Sequence, residues 1–284
     1  GMCLTGRKKP VVHVSNAAGF GFFDGRNMKF ETEKLSKMGV KETWLPEVCT
    51  GIEKLGLYRN RQVTTAIGDN QASFLGAAGK EENTLLVNMG TGGQISILSD
   101  QYFAEKGIEA RPFLDGKYLL VGSSLCGGKS YALLEQFFRR VVKAVTGEDS
   151  SLYPVMEQFA KTGKEQSNRI SEDRKLKIRT TFDGTRTDPK SSGSIQGLTS
   201  DNFTPEAFTY GILEGMGDEL YQMYRTIKNG TGIQIKNLIG SGNGVRKNPV
   251  FCEMLEELFQ NKLVLSAYKE EAAAGAAISS MLCS

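Results

Sequence analysis

Only one histidine, His13, occurs in 284 residues. That scarcity argues against a histidine-based nucleophilic triad and against any multi-histidine metal centre. Cysteine is sparse too. Cys3, Cys49, Cys126, Cys252 and Cys283 lie far apart, none in a C-x-x-C pair, and the count is odd. Such spacing fits reduced thiols in a cytoplasmic protein, and neither a disulfide frame nor a zinc site. No large excess of either charge exists, since 35 basic and 32 acidic residues leave +3. No basic run is interleaved with aromatics, so nothing asks for nucleic acid. No apolar stretch approaches a membrane span, and no charged segment followed by an apolar one opens the chain. The expectation is a soluble, cytoplasmic protein without a secretory signal. Internal repeats and low-complexity tracts are absent. No glycine loop is followed by Gly-Lys-[Ser/Thr], so the Walker A phosphate loop is missing as well.

What is present is an ordinary globular composition, 39% hydrophobic and 24% charged, with 33 glycines. The length suits two domains, or one large domain with part of another. Strand patterns are expected at 62–67, 84–89, 94–98, 118–125, 236–239 and 263–266. A helix is expected at 30–38, stopped by Gly39. A long amphipathic helix should follow Gly128, with Tyr131, Leu134, Phe137, Phe138, Val141 and Val145 on its apolar face. Residues 161–174 are polar and read as loop. The stripe Phe208, Ile212, Met216, Leu220, Met223 and Ile227 predicts a helix over 205–229. Gly211, Gly215 and Gly217 cost it helix propensity, so close packing on a neighbour is the expected compensation. Helices over 248–259 and 270–282 complete an α/β pattern.

Three glycine turns could carry chemistry. Gly90-Thr91-Gly92-Gly93 sits between two strands, where open backbone N–H groups and the Thr91 hydroxyl could meet a phosphate. Alone it reads as a hairpin turn. Cys126-Gly127-Gly128 stands at a strand-to-helix transition and alone reads as a packing pair. Gly240-Ser241-Gly242-Asn243-Gly244 follows a strand and precedes a helix whose start is marked by Asn248-Pro249. Its spacing is not G-x-G-x-x-G, and the next strand ends without an acidic residue for a ribose, which disfavours a dinucleotide oxidoreductase. Asp69, in Gly68-Asp69-Asn70-Gln71, ends a strand pattern and opens a helix. It could orient a substrate hydroxyl and take its proton, or serve as an N-cap, and position alone leaves these even. His13 on a strand reads as structural.

The order of these pieces resembles the FGGY carbohydrate kinases. The carriers are Ile67-Gly68-Asp69-Asn70-Gln71-Ala72-Ser73, Asn88-Met89-Gly90-Thr91-Gly92, Gly127-Gly128, Gly240-Ser241-Gly242 and the closing Glu271-Ala272-Ala273-Ala274-Gly275-Ala276-Ala277. Single motifs are weak; five in this order are specific. Ser15-Asn16-Ala17-Ala18-Gly19 and Phe182-Asp183-Gly184-Thr185-Arg186 are most similar to the sedoheptulose-phosphorylating members. The resemblance implies the actin-like ATPase (RNase H-like) α/β fold, one complete domain plus the tail of a second. Residues 1–78 would be the end of the sugar-binding domain and 79–284 the nucleotide-binding domain. It implies Asp69 as catalytic base and as the one protein group near Mg²⁺ carried in with ATP. Gly90, Thr91, Gly92, Gly127, Gly128, Gly240, Ser241, Gly242 and Asn243 would hold the nucleotide. It implies ATP and a sugar, a ketose such as sedoheptulose or a pentulose, as substrates.

The departure is an amino-terminal Asp-Gly-Thr phosphate loop that family members carry and this sequence does not. The expectation is therefore weak ATP binding and no turnover by the isolated chain, with a non-catalytic nucleotide-binding module as the alternative. Apolar surface bared by a shortened first domain would favour a homodimer.

Overall fold

The computed structural model describes residues 1–283. They form two compact units. Unit 1 comprises Gly1–Leu86, Ser96–Val121 and the carboxyl-terminal residues from Ser266; unit 2 comprises Val87–Ile95 and Gly122–Leu265. The large sheet is built from β1 (Thr84–Met89), β2 (Gly93–Ser99), β3 (Ile108–Pro112), β4 (Tyr118–Ser124), β5 (Asn237–Ser241) and β6 (Leu263–Leu265), in the order β6-β5-β1-β2-β4-β3. The principal helices are α1 (Asp69–Ala78), α2 (Gly127–Thr146), α3 (Tyr153–Ser167), α4 (Pro205–Thr231), α5 (Pro249–Phe259) and α6 (Glu271–Met281). Among the described residues no helix is long and apolar enough to cross a membrane.

Strand β1 reads Thr-Leu-Leu-Val-Asn-Met, and all but Asn88 are buried. A near-continuous apolar run of this kind marks a strand covered on both faces. Strands β5 and β6 run parallel, with Leu238 opposite Leu263 and Gly240 opposite Leu265, joined through α5. Asn248 caps α5 by accepting from Phe251 N at 3.0 Å, with Pro249 in the first turn, as the sequence signals.

In unit 1, α1 and α6 cross at almost backbone contact. A Cβ at Gly76 would lie 2.1 Å from the carbonyl oxygen of Glu271, and one at Gly275 would lie 1.8 Å from that of Ala72. The Glu-Ala-Ala-Ala-Gly segment, which has no evident chemical role, is thus a packing surface for the helix that begins with Asp69. Smaller ribbons complete unit 1: Val11–His13 pairs in parallel with Glu47–Cys49, and Phe23–Asp24 pairs with Lys29–Phe30 across the turn at Gly25. The helix expected over 30–38 is Thr32–Lys37, with Phe30 on the preceding strand.

In unit 2, α4 buries Ile212, Met216, Leu220 and Ile227 from the expected stripe, although Phe208 and Met223 remain partly exposed. Each buried aliphatic side chain of this size contributes roughly 1.5–3 kcal/mol relative to exposure. Its glycines are contact points. A Cβ at Gly215 would stand 2.0 Å from the Ile178 carbonyl oxygen, and one at Gly217 would stand 2.8 Å from Leu258.

Two expectations fail here. Part of the supposed loop over 161–174 belongs to α3, whose buried residues Met156, Ala160 and Gly163 recur at helical spacing beneath a charged outer face. And α2 does not bury the face assigned to it. Leu134 is buried, but Phe137, Val141 and Val145 are 61%, 51% and 81% exposed. Periodicity shows which residues share a face, not whether anything covers that face.

Helix α4 also carries a titrating group. Burial pushes the Glu214 carboxyl from its ordinary 4.5 up to about 7, with Asp218 and Glu172 adding to the rise and Lys175 and Lys177 opposing it. A carboxyl whose pKa is higher folded than unfolded holds more protons in the native state between those two values. Stability therefore falls as pH rises from 4.5 to 7 and stays low above it. The expected result is about 2 kcal/mol less stability at pH 8 than at pH 5 from this group. The Glu214→Gln protein should lack that part of the slope in urea titrations at the two pH values. His13, whose pKa burial lowers, acts in the opposite sense below 6.5, so the mutant-minus-wild-type difference isolates Glu214.

Candidate functional site

The three glycine turns meet within unit 2. Gly90 N donates to Gly92 O at 3.0 Å, closing the first turn on itself. The second turn is zipped to it by two backbone hydrogen bonds, from Gly128 N to Gly90 O at 3.1 Å and from Lys129 N to Thr91 O at 2.9 Å. Only glycine fits there. A Cβ at Gly127 would lie 2.2 Å from the carbonyl carbon of Gly92, and one at Gly128 would lie 2.4 Å from Gly90 O. The third turn packs on the end of β1. Gly242 has φ +82°, a left-handed conformation that glycine adopts without strain, and a Cβ on it would lie 2.5 Å from Met89 O. Across β1 and β5, Asn88 Nδ2 donates to Ser241 Oγ at 3.0 Å.

Gly90, Thr91, Gly92, Gly127, Gly128, Ser241 and Gly242 are therefore neighbours, while Gly240 packs inward on Val245 and Leu263. Gly90, Thr91 and Asn243 are exposed at the rim; Gly127 and Ser241 are buried beneath it. The amides of Gly90, Gly127 and Gly128 are engaged within the turns. Gly90, with nothing within 4 Å of where a Cβ would stand, and the exposed Thr91 lie open beside the start of the 20-residue helix α2, a setting that suits an anionic ligand such as a phosphate chain.

Asp69 lies in unit 1, as the first residue of α1. The N-cap of that helix is Gly68, with no side-chain capping bond, so Asp69 is not the cap. Its carboxylate is exposed, and Oδ1 accepts from Asn70 N at 2.7 Å. Beside it, Asn70 Oδ1 is shielded from solvent without a hydrogen-bond partner. The turn before Asp69 is held by a buried chain of polar groups. His13 is fully buried; its Nε2 donates to Thr50 O at 3.0 Å, and its Nδ1 sits 2.7 Å from Ser15 Oγ. Burial keeps the ring neutral, and that tautomer lets Ser15 donate to Nδ1. Ser15 Oγ in turn accepts from Gly68 N at 2.9 Å, and Asn16 Nδ2 donates to Ala66 O at 2.8 Å. His13 is structural, as expected, and what it supports is the residue preceding Asp69.

Two pairs around the glycine turns were not foreseen. Lys129 Nζ bonds Asp183 Oδ2 at 2.6 Å, each side chain about two-fifths exposed. The Asp183 carboxylate holds the Lys129 ammonium above its ordinary range and is itself lowered. Ser124 Oγ donates to Glu219 Oε2 at 2.7 Å. These partners are 54 and 95 residues apart, beyond the reach of any local pattern. Among the described residues, no cluster of three or more His, Cys, Asp or Glu side chains could cage a metal ion.

The model of the FGGY family of carbohydrate kinases, C-terminal domain, matches residues 85–282. Mouse sedoheptulokinase is 25% identical over 278 residues, covering 90% of this chain and 55% of the relative. Glycerol kinase 1 of Lactiplantibacillus plantarum is 25% identical over 291 residues, covering 96% of this chain and 54% of the relative. Among solved structures, xylulose kinase from Rhodospirillum rubrum superposes with a TM-score of 0.81 at 20% identity, over 99% of this chain and 56% of its own. Plasmodium falciparum glycerol kinase with ADP gives 0.76 at 20%, over 98% and 55%. The chain spans about half the length of the curated relatives it matches. The fold is the actin-like ATPase fold expected from the motifs, and the chain belongs to the FGGY family of carbohydrate kinases.

Proposed function

We propose that the whole protein transfers the γ-phosphoryl group of ATP to a hydroxyl of a small sugar, a ketose such as sedoheptulose or a pentulose. The observation that carries this reading is the meeting of three glycine turns in unit 2, with Gly90 and Thr91 open at their rim. In this assignment Gly90, Thr91, Gly92, Gly127 and Gly128 hold the phosphates, and Gly240, Ser241, Gly242 and Asn243 hold the adenosine. Asp69 is assigned the acceptor hydroxyl. Its carboxylate takes the proton as the sugar oxygen bonds to phosphorus and the bond to the ADP oxygen breaks. Mg²⁺ would enter with ATP, with Asp69 as its candidate protein partner. Residues 1–78 are assigned to the sugar side and 79–284 to the nucleotide side.

A non-catalytic nucleotide-binding module is the second reading. It is favoured by the fact that all three turns belong to unit 2.

Titration calorimetry of the 284-residue chain with ADP should give saturable binding that NADH does not displace. A panel of ketoses and polyols with Mg-ATP, run on the whole protein, then separates the readings, because sugar-dependent ADP release belongs only to the kinase. No ADP binding at millimolar concentration, or tight NADH binding, would overturn the nucleotide assignment.

A further inference from the structure

The second glycine turn is fastened on one side by Asp183 N, which donates to Cys126 Sγ at 3.1 Å, while the amides of Gly128 and Lys129 aim at the first turn. A second hold runs through a partly buried carboxylate on another element. Ser124, at the end of β4, is buried, and its hydroxyl accepts from Cys126 N and Gly127 N, each at 3.3 Å. A hydroxyl has one proton and two lone pairs. With both lone pairs taken by the turn, the proton needs an acceptor, and Glu219 Oε2 supplies it at 2.7 Å from α4. The same stretch of α4 is wedged against the neighbouring strands: a Cβ at Gly93 would lie 3.3 Å from Leu220, and one at Gly122 would lie 2.8 Å from Met223. The turn of α4 that follows Glu219 is thus packed against β2 and β4.

We propose that Glu219 is a positioning residue for the nucleotide, setting through Ser124 the direction of the Gly127–Gly128 turn and, through its two backbone bonds, that of Gly90–Gly92. The inference rests on the nucleotide reading of these turns. Burial raises the Glu219 carboxyl above its ordinary range, and the hydroxyls of Ser124 and Thr180 oppose that rise. A half-buried acid held only by neutral hydroxyls is a costly feature to retain for stability alone. The role asks for an acceptor at this point, not for a charge. Glutamine, which keeps a side-chain oxygen, should therefore substitute, whereas alanine should not.

The test compares Glu219→Ala, Glu219→Gln, Ser124→Ala and the alanine double variant by calorimetric titration with ADP. Glu219→Ala is expected to weaken ADP about tenfold, and Glu219→Gln to stay within about threefold of wild type. Ser124→Ala should match Glu219→Ala, and the double variant should be no worse than either, because the two side chains act as one unit. Amide exchange at Gly127, Gly128 and Lys129 should quicken in Glu219→Ala and not in Glu219→Gln. Wild-type affinity in folded Glu219→Ala overturns the inference, as do losses that add in the double variant. If Glu219→Ala does not fold, Ser124→Ala carries the same comparison. A wild-type chain that takes no ADP overturns the nucleotide reading instead; the exchange rates then decide whether Glu219 orders the turn.

Discussion

Gly275→Ala is expected to destabilise unit 1 by about 3 kcal/mol and to lower its Tm by roughly 10 °C. Helix propensity predicts the opposite sign, since replacing glycine by alanine in a helix interior is worth about 1 kcal/mol in favour of alanine. The crossing with α1 decides the matter. The added methyl would sit 1.8 Å from Ala72 O and the obstacle is backbone, so no side chain can rotate away. Helix α6 buries Glu271, Gly275 and Ser279 at four-residue steps, and α1 offers Ala72 and Gly76 opposite them. The two helices must separate or shift along each other, and α1 carries Asp69 at its first position. Circular dichroism melts of Gly275→Ala and of Ala276→Gly, an exposed site on the same helix, give the comparison. A stabilised Gly275→Ala protein would mean that the crossing is looser than described.

Asp69→Asn should lower kcat of the whole protein on the order of a thousandfold while leaving ADP affinity within about twofold. Asparagine has the shape of aspartate and keeps an oxygen for the Asn70 amide, so α1 should begin unchanged. It cannot accept the proton of the sugar hydroxyl. The helix cap is also not in play, because Gly68 occupies that place without a side-chain bond. Steady-state kinetics at saturating sugar, together with ADP titration, separates the two quantities. A kcat within tenfold of wild type at unchanged affinity would remove Asp69 from the chemistry, whereas ADP binding with no sugar-dependent turnover in the wild-type protein would leave the non-catalytic reading.

Much of the architecture is legible in the sequence because it is written in local periodicity. Strand β1 falls at 84–89 as its apolar run indicates, and α4 follows from the stripe ending at Ile227. Its three glycines announced close neighbours, and Ile178 and Leu258 are those neighbours. What failed is equally physical. The charged outer face of α3 hid a buried row only four residues wide in spacing, and α2 displays apolar residues that nothing in its own sequence marks as uncovered. At the site, each glycine turn could be found alone, but their meeting depends on backbone contacts between residues such as Met89 and Gly242. Glu219 and Ser124 were beyond reach altogether, since neither stands in a motif.

The crossing of α1 and α6 has a consequence for how the molecule is made. Gly76 and Gly275 lie on opposite sides of unit 2 in the sequence, so the whole of unit 2 emerges from the ribosome between them. The glycine turns can therefore assemble while translation is still under way. The helix bearing Asp69 must wait for Gly275 before its groove is filled, so a chain stalled before that residue would hold assembled glycine turns and an uncovered α1.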